Sequence, residues 1–147
     1  MRSQHTDPHY LAQEILARRD HSETELRRKL QKKGVGPEDI DETVSWLKSK
    51  QLLDDHAFAR MYIESILRQK PVGPRWLSAK LYQKGVKEDV TASALDAAYQ
   101  PGEAHYAHKA ARLWARLHPT KNTKSPKLWR HLASRGFSSS VIQSLDD

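Results

Sequence analysis

Apolar residues along this chain recur three and four positions apart, and no stretch alternates apolar with polar residues as a half-buried strand would. Spacings of three and four place side chains on one stripe of a helix. Leu11 and Ile15 open the first stripe, Leu26 and Leu30 the second, and Ile40, Val44 and Leu47 the third. Shifting the chain against itself by 51 residues aligns Leu11 with Tyr62 and Leu113, and Ile15 with Ile66 and Leu117. The same shift aligns Leu26, Leu77 and Leu128, then Leu30, Leu81 and Leu132, then Gly34, Gly85 and Gly136. Self-similarity at a fixed period marks tandem copies of one structural unit. The expected fold is all-α: three tandem three-helix, helix-turn-helix-like repeats over residues 1–52, 53–100 and 101–147. A unit of about 50 residues buries too little surface to be stable alone, so neighbours are expected to share apolar surface. Short connections between the copies predict an elongated, curved molecule.

Start and stop signals punctuate each copy. Ser22 with Glu25 has the spacing of a capping box. Gly73-Pro74 and Ser125-Pro126 put proline in the first helical turn, where its missing N–H costs nothing. Asp54 and Asp55 precede the first helix of the second copy as expected N-caps. Each second helix ends at a glycine able to take the left-handed cap, and an apolar residue follows at once: Val35, Val86, Phe137. In the first helices, Tyr62 and Ile66 join Phe58 and Ile63, and Leu113 and Leu117 join Tyr106, as the expected inward stripes. Trp114 continues the third of these stripes.

Charge adds a partner class. The chain carries 25 Lys and Arg against 18 Asp and Glu, a net charge of +7. With pI near 9.7 and mean hydropathy −0.80, that excess favours polyanions such as nucleic acid. On a wheel with Leu26 at zero, Leu30 lies at about 40° and the stripe centres near 20°. Arg28 and Lys32 then point away from the core, while Lys29 and Lys33 sit on one flank. That flank is Lys80 and Lys84 in the second copy and His131 and Arg135 in the third. Two readings stay open: stems covering the core edge with the charge in water, or a spaced row of phosphate contacts. The candidate binding residues are Arg27, Arg28, Lys29, Lys32, Lys33, Arg75, Lys80, Lys84, Lys124, Lys127, Arg130 and Arg135. Arg18, Arg19, Arg68, Lys70 and Lys121 are further basic positions outside the row. Base reading by a recognition helix needs Arg, Asn or Gln at its N-terminal end, whereas the third helices open with acidic or neutral residues. Trp76 and Trp129, beside core leucines on basic helices, are candidates for stacking on bases.

Reactive chemistry is absent from the pattern. His105 and His108 could share a metal at i, i+3, but no third ligand follows at suitable spacing. No phosphate-cradling glycine loop and no nucleophile elbow occurs. No catalytic residue, metal site or cofactor is expected. The chain has no cysteine, no apolar run near the ~20 residues of a membrane span and no signal-peptide h-region. A cytoplasmic monomer without membrane contact is expected.

The segments DHSETELRRKLQKKGV, LLDDHAFARMYIES and VGPRWLSAKLYQKGV resemble the RecX regulatory proteins of bacteria. Three phrases carry the resemblance, in order: Ser22 to Leu30, Leu53 to Ala59 and Gly73 to Gly85. It covers most of residues 10–100; the third copy, with its longer polar loop HPTKNTKSPK over 118–127, matches more loosely. The resemblance implies a non-enzymatic modulator of the RecA recombinase, acting in recombination, DNA repair and the SOS response. Its implied partner is the RecA filament on single-stranded DNA, with strand exchange and ATP hydrolysis inhibited. A stand-alone nucleic-acid-binding protein and a helical scaffold for other proteins are the competing classes.

Overall fold

A computed structural model describes residues 7–119 and 125–146 of the 147. Nine helices and no strand occur among the described residues. The first unit holds α1 (Pro8–Arg18), α2 (Glu23–Lys32) and α3 (Pro37–Ser49). The second holds α4 (Asp55–Gln69), α5 (Pro74–Gln83) and α6 (Glu88–Ala98), and the third α7 (Glu103–Leu117), α8 (Pro126–Ser134) and α9 (Ser139–Ser144). The capping box forms as its spacing dictates: the Glu25 N–H donates to Ser22 Oγ at 3.1 Å, and the Ser22 N–H to Glu25 Oε1 at 3.1 Å. Gly34, Gly85 and Gly136 all take positive φ, at 91°, 78° and 89°. The amide after each closes a Schellman bond, Val35 to Leu30 O, Val86 to Leu81 O and Phe137 to Leu132 O.

Each unit has its own core. Leu26 and Leu30, Leu77 and Leu81, and Leu128 and Leu132 are buried in the first, second and third clusters. Leu53, expected to open the second unit, packs instead into the first cluster. The first helices bury Ile15, Phe58, Ile63 and Trp114 as expected, but the rest of the expected stripe sits further out. Ala12, Ile63 and Trp114 occupy the buried line, each one residue after Leu11, Tyr62 and Leu113. Leu113 and Leu117 are 44% and 71% exposed, and Tyr62 and Ile66 are only partly buried. The reason is that α7 presents Ala107 and Ala110 to α8 and α9; these small residues let the helices approach closely, and only the Trp114 ring fills the remaining depth.

Extensive helix–helix packing lies within the units, and the units meet at helix ends. The N-terminus of α2 abuts the C-terminus of α5. Here Ser22 Oγ donates to Lys84 O, Thr24 Oγ1 to Gly85 O at 3.3 Å, and Lys84 Nζ bonds Glu25 Oε2 at 3.2 Å. The N-terminus of α5 meets the C-terminus of α8 in the same way: the Gly73 N–H donates to Arg135 O at 2.7 Å and the Arg75 N–H to Gly136 O at 3.4 Å. A Cβ on Gly73 would overlap the Gly136 carbonyl, and one on Gly136 would overlap the Trp76 backbone. The three second helices therefore run head to tail in the order α8, α5, α2, each positive N-terminus against a carbonyl-rich C-terminus. Asp54 caps α4 by accepting from the His56 and Ala57 amides. Asp55 does not cap its own helix; it accepts the Glu23 N–H at 2.9 Å and so caps α2 across the first junction.

Candidate nucleic-acid interface

The junctions decide which basic side chains remain available. Arg27 is spent inside the first unit, with Nε 2.9 Å from Glu23 Oε2 and Nη1 2.7 Å from Asp41 Oδ1. Lys84 is half-buried against Glu25 and lies over the Tyr62 ring at 5.2 Å. Burial pulls the Glu25 carboxyl upward, but the Ser22 amide and Lys84 outweigh it and hold its pKa below the ordinary value. Arg28 reaches across the junction to Gln83 O at 3.3 Å. Lys84 and Arg28 thus bridge the first two units, while Arg27 is tied within the first, rather than standing free for a ligand. Lys29, Lys32 and Lys33 are exposed, as are Lys127 and Arg130 on α8. Lys124, with Lys121, lies outside the described residues.

Trp76 is not an open stacking platform. Its ring is partly buried, with Lys70 Nζ 4.5 Å and Lys80 Nζ 5.1 Å from its centroid. The chain's own lysines thus occupy the aromatic's electron-rich faces. Trp129 is 41% exposed. Arg75 belongs to a separate hollow with Tyr82, Gln83 and Lys87, where Tyr82 stands 82% exposed.

A dense cationic surface lies between the second and third units. Arg68 and Lys70 at the end of α4 face Lys109, Arg112 and Arg116 of α7 across a cavity of about 270 Å³. An adjoining cavity of about 320 Å³ shares Lys70 and Pro71 and adds His131 and Arg135, with Leu113, Trp114 and Leu117 as its apolar wall. Among the described residues, no carboxylate lines either hollow. The His131 pKa lies below its ordinary value, through burial first and then the Arg135 and His118 charges. Unneutralised cations around an apolar wall favour a ligand with phosphates and a flat apolar part.

This groove was only half visible in the sequence. Arg68, Lys70, His131 and Arg135 stood out as basic positions; Lys109, Arg112 and Arg116 did not enter the candidate set. Their spacing of three and four along α7 is the signal that could have found them. The expected single row is divided: Lys33, Lys84 and Arg135 are all C-cap residues, but two of the three lie in junctions. No group of three or more metal-ligating side chains occurs among the described residues, His105 and His108 included. No described helix is long and apolar enough to cross a membrane.

Known proteins share this fold. Family models for the first and second three-helix domains of RecX match residues 11–47 and 54–95. The regulatory protein RecX of Chlorobium limicola is 39% identical over 135 residues, spanning 90% of this chain and 82% of that protein. The regulatory protein RecX of Cronobacter sakazakii is 34% identical over 144 residues, spanning 91% and 87%. A crystal structure of regulatory protein RecX superposes with a TM-score of 0.81 at 27% identity, covering 95% of this chain and 70% of the other. RecX from Lactobacillus salivarius shows the same fold with a TM-score of 0.84 at 20% identity, covering 94% and 91%.

Proposed function

The chain belongs to the RecX family of regulatory proteins, and from that premise we propose that it binds the RecA filament on single-stranded DNA and inhibits the recombinase. The observation that carries this reading is the groove between α4 and α7, where Arg68, Lys70, Lys109, Arg112 and Arg116 converge with no carboxylate among the described residues. A filament exposes phosphates and protein together, and a groove with both cations and an apolar wall suits such a mixed surface. Bound there, the protein obstructs strand exchange and slows ATP hydrolysis without doing chemistry itself. The assay is single-strand-dependent ATP hydrolysis by RecA with this protein at sub-stoichiometric amounts. Suppression together with weak binding to bare oligonucleotide is expected; unchanged hydrolysis at saturating protein rejects the reading.

A second reading, direct binding of nucleic acid without a recombinase, is favoured by Tyr82. Its ring is open to solvent beside Arg75 and Lys87, a pairing that suits a stacked base and its phosphate. Tight binding to bare single strands, lost in Tyr82→Ala, supports this second reading.

A further inference from the structure

The two hollows between the second and third units share Lys70, Pro71 and Leu113, and otherwise their linings differ. The one of about 270 Å³ adds Arg68, Lys109, Arg112 and Arg116; the one of about 320 Å³ adds Trp114, Leu117, His118 and His131. One is a cluster of cations, the other a wall of apolar and flat side chains. Among the described residues, Arg68, Lys109, Arg112 and Arg116 enter no ion pair.

His118, the C-cap of α7, gives the larger hollow a fixed ring. It lies 4.3 Å from the Trp114 ring with 18° between the planes, and its Nδ1 is 2.9 Å from Trp114 O. A carbonyl only accepts, so Nδ1 carries the proton and donates, which holds the imidazole against the indole. Trp114 is buried in the third core, whereas His118 is exposed. One face of the imidazole therefore has a rigid backing, and the other is open to a second flat ring. A platform ordered by the fold itself spares a ligand the cost of ordering it.

A nucleic-acid strand offers an anion and a flat ring in every repeat unit, the same pair of features that the adjoining hollows receive. The carbonyl-rich end of α7 disfavours a phosphate at His118 itself, so the base belongs there and the phosphates further back along the helix. Lys109, Arg112 and Arg116 are three and four apart on one face, a cationic ladder of about 10 Å. An acidic peptide would satisfy that ladder but brings no obligatory ring to His118, and a duplex keeps its bases paired and stacked inside. We propose that the groove takes the single strand itself: one unpaired base stacks on His118, and the phosphates beside it lie against Lys109, Arg112 and Arg116. The inference rests on the filament reading above and deepens it, naming the strand rather than the recombinase as what this groove touches. Stacking tolerates every base, so no sequence preference is expected. One base and three cations make a small contact, in keeping with weak binding to bare oligonucleotide.

Photo-crosslinking from the strand tests the site. The full chain is added to RecA filaments on oligo(dT) carrying 4-thiothymidine, irradiated, and the peptides of this chain bound to DNA are mapped, with filament binding and ATP hydrolysis followed in parallel. A crosslink at Leu117 or His118 is expected. Its yield should fall about tenfold in His118→Ala and persist in His118→Phe, which keeps a flat ring. Both variants change an exposed residue, and circular dichroism checks that their helicity is unchanged. Inhibition of hydrolysis with no crosslink to this chain, or with one only beside Tyr82, overturns the stacking site and leaves the recombinase reading standing. So does a yield unchanged in His118→Ala or lost equally in both variants. A chain that neither binds the filament nor slows hydrolysis overturns both.

Discussion

Alanine at the three cap glycines separates local backbone strain from the contact between units. Gly34, Gly85 and Gly136 share nearly the same positive φ, so each Gly→Ala change carries the same left-handed penalty of about 1–2 kcal/mol. Their surroundings differ. At Gly34 the new methyl enters open space; at Gly85 it strikes Thr24, whose Cβ no side-chain rotation can move; at Gly136 it strikes Trp76 backbone atoms that cannot move without dragging α5. Overpacking against fixed atoms adds about 1–3 kcal/mol. Gly34→Ala should therefore cost about 1–2 kcal/mol, and Gly85→Ala and Gly136→Ala each about 2–5 kcal/mol. Against a total of about 5–15 kcal/mol for a domain, the last is a large fraction. Urea unfolding at pH 7 gives the three values, and amide exchange at Gly73 and Arg75 reports on the second junction directly, because those amides donate to Arg135 and Gly136. Protection there should collapse in Gly136→Ala while the amides within α4 and α6 stay protected. Equal costs at Gly34 and Gly136, or unchanged exchange at Gly73, would refute the end-on account of how the units join.

Other perturbations test the remaining layers. Leu30→Ala and Leu81→Ala each empty a fully buried site and should cost about 2–5 kcal/mol in chemical denaturation. Glu25→Gln should remove part of the acid sensitivity. The folded pKa of Glu25 lies below the ordinary 4.5, so its stabilisation is present above that value and is lost as pH falls through the folded pKa. A stability profile from pH 7 downwards should therefore be flatter below pH 4.5 in the variant. Arg112→Glu and Arg116→Glu should each reduce the salt slope of filament binding by about one without loss of helicity, whereas Arg27→Glu, removing an already paired cation, should act mainly on stability. Binding measured across a salt series distinguishes these outcomes.

Within each copy, the residues speak for themselves because the interactions that shape them are local. Ser22 and Glu25 are three apart and close a capping box on their own. Leu26 and Leu30 share a face whatever lies beyond it, and Gly34 ends its helix because a left-handed residue is needed four positions after Leu30. The period of 51 then reveals three such units and, with the phrases around Ser22, Leu53 and Gly73, the family. What depends on placing one rigid unit against another was not legible in the chain. Leu113 and Leu117 look as fit for the core as Trp114 beside them, and only the approach of neighbouring helices buries the ring and leaves the two leucines outside. Asp55 caps a helix 32 residues upstream. Lys84 and Lys33 follow the same pattern in sequence, but only the tertiary structure, by bringing Glu25 to one and no described carboxylate to the other, consumes the first charge and leaves the second exposed. Cap and stripe geometry is settled within a turn or two of helix, whereas the availability of a charge depends on which remote group arrives beside it.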